Sequence, residues 1–458
     1  MPNDILSNVK NIHFIGIGGS GMCPIAEILL HRGYNITGSD TNESDTLQRV
    51  RSYGIPVFMG QRPENIGSAQ LVVYSAAIKQ DNPELKAARR MGVPAVERSV
   101  MLGAVAKKYS NSIAVSGTHG KTTTTAMITQ VFLEAGEDPS AVIGGKLPLI
   151  GANGRAGKSD TIVCEACEYV DTFLQLYPAV SVILNIDNDH LDYFKTVENI
   201  IASFHKFAGQ TSRAVFVNGD NENALKAVSG ITNADIITFG IGKNNVYRAE
   251  NIEPAKRARE KFTLVKDGAA VTGISLSIPG RHNVYNALAA FAVADYFGID
   301  PSRIADSIHA FTGVHRRFEM LGEFGGITVA DDFAHHPTEL TATLTAAKEM
   351  GFSRVWAVFQ PHTYSRTYML LDGFAKALKI ADKVVLSEIL AVRETNTYNI
   401  YAKDLAAKIP GAVWFKTFDE ITDYIVGNAR SGDLILTLGG GDVYKCANMI
   451  VDKYKKLM

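Results

Sequence analysis

Two textures alternate along this chain. Short continuous apolar runs end in a glycine or an acidic residue, and longer stretches with apolar residues at helical spacing follow them. That alternation predicts buried parallel strands joined by helices. The first run, Asn11-Ile12-His13-Phe14-Ile15, leads through Gly16 to Gly21 into a helical Met22 to His31, and then into a second strand over Tyr34 to Asp40. A strand over Leu71 to Ser75 and a helix beginning near Asn82-Pro83-Glu84 extend the pattern. This first region is expected to close near Tyr109-Ser110-Asn111.

A second region opens on the apolar run Ile113 to Ser116, breaks at Gly117, turns through Gly120 and enters a helix over Thr124 to Leu133. Strands are expected over Thr161 to Glu165, Ala179 to Ile186 and Ala214 to Asn218. The first two of these deliver Glu165, Glu168 and Asp171, and Asp187 to His190. From Ala234 to Ile278 the runs become short and alternating, as in exposed β-structure. Pro279 to Ala290 then reads as a loop entering a helix. A third region, from about Gly313, has a strand over Gly326 to Asp332, a helix after Pro337, a strand over Val355 to Gln360 and another from Asp433 to Asp442. No fixed period establishes a repeat. The expected fold is therefore α/β in three domains: an N-terminal Rossmann-like domain (1–109), a central P-loop domain with a mostly parallel sheet (110–313) and a C-terminal Rossmann-like domain (314–458).

Composition narrows the class. At 458 residues, 46% hydrophobic and 20% charged, the chain has ordinary globular composition of about three domains. A net charge of −1 gives no ground for binding nucleic acid or a charged membrane surface. No apolar run reaches the roughly 18 residues of a membrane span, and the first ten residues lack a signal-peptide core. Four cysteines make no disulfide framework, so a reducing cytoplasm is expected. Cys164 and Cys167 form C-x-x-C in a strand-like run and read as buried thiols.

Candidate chemistry sits at the glycine turns. Strand, glycine turn, Lys-Thr and helix form the arrangement that cradles a nucleotide phosphate. Backbone N–H groups and a helix N-terminus face the anion, a lysine reaches the β- and γ-phosphates, and a threonine hydroxyl holds Mg²⁺. Gly117, Thr118, His119, Gly120, Lys121, Thr122 and Thr123 supply it here. Val115 occupies the place of the first glycine in G-x-x-x-x-G-K-[ST], so only the shorter G-x-x-G-K-T is met. The plain alternative is a glycine-punctuated turn with a surface lysine. Glu168 offers a carboxylate suited to a hard cation beside Thr122, and His190 follows Asp189 at a strand end. In the first region Gly16, Gly18 and Gly21 fit G-x-G-x-x-G, and Asp40 closes the second strand. This is the dinucleotide fingerprint, although any nucleotide diphosphate satisfies its physics.

These segments together resemble the Mur ligase family, the ATP-dependent amide-forming ligases of peptidoglycan precursor synthesis. The resemblance covers essentially the whole chain. It rests on G-T-x-G-K-T-T at Gly117 to Thr123, N-x-x-x-D-H at Asn185 to His190 and H-N-x-x-N at His282 to Asn286. His315-Arg316-Arg317-Phe318-Glu319 and then Asp331-Asp332 follow in the family's order. Three segments are similar to those of members that add L-alanine to UDP-N-acetylmuramate. They are Gly16 to Met22, Asp331 to Glu339 against D-D-Y-x-H-H-P-T-E, and Gln360 to Thr367 against Q-P-H-R-Y-T-R-T. The competing reading is a member that joins a whole tripeptide in recycling. It shares the first two segments and is not expected to keep the third.

The resemblance implies a reaction and a set of roles. ATP phosphorylates the lactyl carboxylate of UDP-N-acetylmuramate, L-alanine attacks the acyl phosphate, and phosphate leaves. The partners are these small molecules, with ATP and Mg²⁺, in a cytoplasmic monomer or homodimer that serves cell-wall biogenesis, cell shape and cell division. Lys121 stabilises the transferred phosphoryl group. Thr122 and Glu168 hold Mg²⁺, with a second metal near His190 and Glu168. His282, Asn283 and Asn286 hold the adenine side, and Arg317 and Asp332 close over ATP and ribose. Gly16, Gly18, Gly19, Ser20, Gly21, Met22, Asp40 and Ser75 take the UDP moiety. Phe333, His362 and Arg366 take the amino acid, and His335 or His336 assists its deprotonation. Domain closure is expected, because an acyl phosphate must be shielded from water.

The chain departs from the family pattern in four places. Cys167 and Val170 replace carboxylates of E-x-D-E-S-D, Thr363 replaces an arginine, and Phe333 replaces a tyrosine. His205, with Lys206 beside it, stands where many relatives carry a carbamylated lysine, which alanine-adding members generally lack. Two other classes remain in view. A nucleotide-dependent oxidoreductase would leave the P-loop and N-x-x-x-D-H unexplained. An ATP-hydrolysing switch would turn over ATP without an amino acid.

Overall fold

The computed structural model describes residues 5–255, 259–392 and 394–457. The chain divides into two compact units. One holds the residues up to Glu250 with Leu264–Thr272 and Tyr285–Ser307; the other holds Asn251–Thr263, Gly273–Val284 and the chain from Ile308 onward.

The first unit opens with β1 (Asn11–Ile15), β2 (Asn35–Asp40), β3 (Val57–Met59), β4 (Leu71–Tyr74) and β5 (Ala95–Glu97), in the order β3-β2-β1-β4-β5. Every pair is parallel. Phe14, Ile15, Val72 and Val73 are fully buried, as expected for strands covered by helices on both faces. The chain then forms β6 (Asn111–Ser116), β7 (Ser140–Leu147), β8 (Ala152–Arg155), β9 (Thr161–Glu165), β10 (Val180–Ile183), β11 (Ala214–Asn218) and β12 (Asp235–Gly240). Their order is β12-β11-β10-β6-β9-β7-β8, and only β7–β8 is antiparallel. β6 therefore lies between β9 and β10. The residues after all three strands meet at one edge, which is where open α/β sheets bind ligands. The alternating stretch becomes β13 (Tyr247–Ala255), β14 (Arg259–Lys266) and β15 (Ala269–Pro279).

The second unit contains β16 (Glu319–Phe324), β17 (Ile327–Asp332), β18 (Arg354–Phe359), β19 (Lys383–Leu386), β20 (Val413–Trp414) and β21 (Asp433–Leu438), in the order β16-β17-β21-β18-β19-β20. Only the edge pair β16–β17 is antiparallel. Helices Pro337–Glu349 and Leu371–Leu378 contribute to the core on one face (Leu340, Leu344, Phe374, Leu378). Helices Phe418–Asn428 and Tyr444–Leu457 contribute to the other (Ile421, Ile425, Ile450). Among the described residues, no helix is long and apolar enough to cross a membrane.

Candidate active site

The loop after β6 turns because two of its glycines are required. Gly117 has φ +138°, and a Cβ there would stand 2.9 Å from the Leu184 side chain. Gly120 has φ +86°, and a Cβ there would stand 2.6 Å from Asn286 Oδ1. The helix then begins at Lys121, three residues earlier than the apolar pattern indicates, and runs to Glu134. Its first N–H groups lack intrahelical partners and face the loop, as a phosphate site requires. Asn185, beyond the end of β10, clamps the loop. It accepts from His119 N–H at 2.8 Å and donates to His119 O at 3.1 Å. Asp187 N–H donates to the Thr118 hydroxyl at 2.9 Å, and His119 Nε2 lies 3.3 Å from Asp187 Oδ2.

Lys121 Nζ donates to Gly117 O at 2.6 Å and lies 2.9 Å from Glu168 Oε2. Burial acts to lower the lysine pKa, but Glu168, then Cys167 and Glu165, more than offset this, so the ammonium is held above its ordinary value. Glu168 is 2% exposed and meets a second neighbour, His190, whose Nε2 is 4.0 Å from Oε1. Thr122 does not reach Glu168 with a hydrogen bond; its hydroxyl donates to Glu165 Oε1 at 3.1 Å. Glu165 Oε2 in turn accepts from Gly144 N–H. Asp171, expected in the same acidic cluster, instead accepts from Ser203 and Tyr193. Among the described residues no three His, Cys, Asp or Glu side chains gather as a metal cluster. The donors are hard oxygens beside an ammonium that neutralises the buried carboxylate. As donor types, the Thr122 hydroxyl and the Glu168 carboxylate fit Mg²⁺, with His190 beside Glu168, while both Glu168 oxygens here face Lys121 Nζ. Thr124 donates to Asn286 Oδ1 at 3.1 Å, so Asn286 also braces the turn. Cys164 is buried as expected, whereas Cys167 is only partly so.

In the first sheet, Gly16 to Met22 link β1 to the helix Cys23–His31. Asp40 closes this loop from within: Oδ2 accepts from Gly18 N–H at 2.9 Å, and Oδ1 accepts from Thr41 and Asn42 N–H. Ser75 follows β4 at the same edge, and its hydroxyl accepts from Ala77 N–H.

In the second unit the candidates gather at the carboxyl ends of β17, β18 and β21. Asp332, 7% exposed, accepts from Phe318 N–H, Ala334 N–H and the Thr343 hydroxyl. Burial pushes its carboxyl up to about 6, against the pull of Arg317 and those N–H groups. Its observed role is to hold the turn. Arg317 lies over the Phe333 ring at 5.1 Å. Arg316, which the sequence reading passed over, staples the region. It pairs with Asp331 at 3.1 Å and donates to Gly439 O and Gly441 O at 2.7 and 2.9 Å. Gln360 and Asp442 exchange two hydrogen bonds beside it. Asn283 Nδ2 donates to Pro279 O at the start of the helix His282–Tyr296.

The two adjacent histidines separate in role. His336 is the N-cap of Pro337–Glu349, its Nδ1 accepting from Thr338 N–H while Glu339 accepts from His336 N–H. His335 Nδ1 lies 2.9 Å from Phe333 O. Donation there leaves Nε2 as the acceptor in the neutral ring. Its ring faces His362 at 5.8 Å. Burial, with Arg366 and Arg317 added, holds His335 below the usual imidazole value against the pull of Glu339. Burial, His335 and Arg366 take His362 down to about 4. Thr363 adopts φ +64° and caps Tyr364–Met369 through a bond from Arg366 N–H. As a cap, His336→Ala is expected to cost about 1 kcal/mol of stability and leave kcat unchanged, checked by denaturant melting beside initial rates.

Comparisons with known proteins run the length of the chain. The Mur ligase family catalytic domain matches residues 11–110, the Mur ligase middle domain 115–294, and the Mur ligase glutamate ligase domain 316–441. A protein of Acetivibrio thermocellus named UDP-N-acetylmuramate–L-alanine ligase is 45% identical over 453 residues, with 96% of each chain covered. One of the same name from Alkaliphilus metalliredigens is 44% identical over 447 residues, with 97% of each covered. The solved structure of UDP-N-acetylmuramate–alanine ligase from Thermotoga maritima superposes with a TM-score of 0.83 at 30% identity, over 98% of this chain and 100% of that one.

Proposed function

This chain belongs to the Mur ligase family, and from that premise we propose that it is the ATP-dependent ligase that joins L-alanine to the lactyl carboxylate of UDP-N-acetylmuramate. The observation that carries the substrate choice is the likeness, along nearly the whole length, to proteins named for that reaction. The terminal phosphoryl group of ATP passes to a carboxylate oxygen, giving an acyl phosphate and ADP. The alanine amine, having lost a proton, attacks the acyl carbon. The tetrahedral adduct then breaks its C–O bond to phosphate, which leaves as the amide forms.

Each step has candidate residues in this chain. The helix start at Lys121 and the Lys121 ammonium bind and neutralise the phosphates, the main task in phosphoryl transfer. Thr122 and Glu168 would hold Mg²⁺, with His190 beside Glu168 for a second ion, and the metal would screen phosphate charge. Gly117, Thr118, His119, Gly120 and Thr123 line the nucleotide side, with His282, Asn283 and Asn286 toward adenine and Arg317 and Asp332 toward ribose. Gly16, Gly18, Gly19, Ser20, Gly21, Met22, Asp40 and Ser75 take the UDP moiety. Arg366 and His362 orient the alanine carboxylate beside Phe333. His335, with Nε2 as acceptor, takes the ammonium proton, a role for which its geometry is better suited than that of the capping His336. The three functional domains span 1–109, 110–313 and 314–458, and the enzyme works in the cytoplasm as a monomer or homodimer.

The test is phosphate release with UDP-N-acetylmuramate, ATP and a panel of L-alanine, glycine, L-serine and the recycling tripeptide. L-Alanine is expected to give the highest kcat/KM. Fastest turnover with tripeptide would move the chain to the recycling activity, and phosphate release without any amino acid would make it a switch.

A further inference from the structure

We propose that Glu84 is a positioning residue for the diphosphate loop: a buried carboxylate that fixes the end of β2, from which the loop Gly16–Gly21 hangs. The proposal rests on the assignment of that loop to the UDP moiety.

Glu84 lies in the first turn of the helix Pro83–Arg90 and is completely buried. A buried carboxylate is tolerated only where donors satisfy it. Its donors come from separate parts of the sheet edge. The Ser39 hydroxyl, on β2, donates to Oε2 at 2.6 Å. Arg62 N–H and Asn65 Nδ2, beyond β3, donate to Oε1. His13, on β1, brings Nε2 to 3.7 Å of Oε2 while its Nδ1 bonds Thr37. Burial opposes the charged form, and His13, Ser39 and Asn65 more than offset it, so the carboxyl sits below its ordinary range.

The same β2 end carries the loop. Ser39 O accepts from Gly16 N–H at 2.8 Å and Ile17 N–H at 3.0 Å. Asp40, the next residue, accepts from Gly18 N–H through Oδ2 and from Gly60 N–H through its carbonyl. Asn65 also donates to Gly60 O. The first three residues of the loop therefore hang from Ser39 and Asp40, and Ser39 hangs from Glu84. A glutamine at 84 keeps the volume but has one acceptor oxygen in place of two, so either the Ser39 hydroxyl must turn to accept from its NH₂ or the Arg62 and Asn65 donors lose their acceptor. The end of β2 then keeps its ladder pairs to β1 and β3 but its side-chain bond to Glu84 is weakened, without a cavity forming.

The test is calorimetric binding of UDP-N-acetylmuramate to the full chain without ATP. Glu84→Gln is expected to weaken the Kd roughly tenfold, as for loss of a hydrogen bond to a charged group. Binding of a non-hydrolysable ATP analogue and kcat at saturation are expected to stay at wild-type values. Ser39→Ala should weaken UDP-N-acetylmuramate less, because Glu84 also holds Arg62 and Asn65, and the double variant no more than Glu84→Gln alone, because the Ser39 hydroxyl acts through Glu84. An unchanged Kd for Glu84→Gln, with only a lower Tm, would overturn the proposal. If that variant does not fold, an unchanged Kd for Ser39→Ala overturns it. Failure of the wild type to bind UDP-N-acetylmuramate would instead sink the functional reading.

Discussion

Lys121→Ala is expected to lower kcat by about a thousandfold or more, the scale seen when a group that stabilises transition-state charge is removed. Nζ stands at the start of the helix Lys121–Glu134, 2.9 Å from Glu168, and no other described cation pairs with that carboxylate at this distance. The variant also leaves Glu168, 2% exposed, without its counter-charge. Breaking a buried pair from one side costs about 3 kcal/mol or more, so inactivity alone would not separate chemistry from stability. Adding Glu168→Gln to Lys121→Ala removes the stranded charge. The double variant should regain much of the lost stability in urea melting, and because Glu168 itself belongs to the proposed Mg²⁺ site, the loss of turnover is measured on Lys121→Ala alone, at a temperature where its melting curve shows it folded. Near wild-type turnover in folded Lys121→Ala would mean that Lys121 serves only as a counter-ion.

The sequence was most readable where one strand or loop carries its own signal. β11 was expected at Ala214–Asn218 and is found there, because a continuous apolar run bounded by polar residues leaves no other register. The helix after the phosphate loop was read three residues short. Lys121-Thr122-Thr123-Thr124 has no apolar spacing, and the helix starts there because its N–H groups serve the loop. The run from Ala179 to Ile186 was read as one strand, but β10 ends at Ile183. Beyond it Asn185 is drawn off to hold Thr118 and His119. Pairings between distant segments were not legible: Thr122 with Glu165, Asp171 with Ser203, Arg316 with the Gly439–Gly441 turn. Each joins residues at least 32 positions apart, and neither periodicity nor local motif encodes such a partner. Arg316 and Arg317 are adjacent and chemically alike, so only the fold separates the staple from its neighbour.

Arg366→Ala is expected to raise the KM for L-alanine about a hundredfold, the upper range for losing a charge-assisted carboxylate contact. Among the described residues the Arg366 guanidinium makes no ion pair, although it lies close enough to His335 and His362 to help depress both. Glu339 and Glu394 also act on these imidazoles, and Arg317 on His335, but Arg366 is the charge that lowers both. The nearby carboxylates are engaged elsewhere, Glu339 on His335 and His336 N–H and Glu394 on Ser365, so a substrate carboxylate is the partner expected for the Arg366 fork. KM values for ATP and UDP-N-acetylmuramate should change little, and Arg366→Lys should recover only part of the loss, since an ammonium cannot form the paired fork. A rise confined to the KM for ATP would assign Arg366 to the nucleotide instead. The same depressed imidazoles set a stability trend. With folded pKa values below the unfolded 6.5, their contribution is complete above about pH 6.5. It is lost as pH falls toward about 4, where His362 titrates in the folded state. His362→Gln should flatten that acid limb in a urea-melting series while leaving stability at pH 8 nearly unchanged. A limb of unaltered slope would place the acid sensitivity elsewhere and leave Arg366 facing an imidazole of ordinary charge.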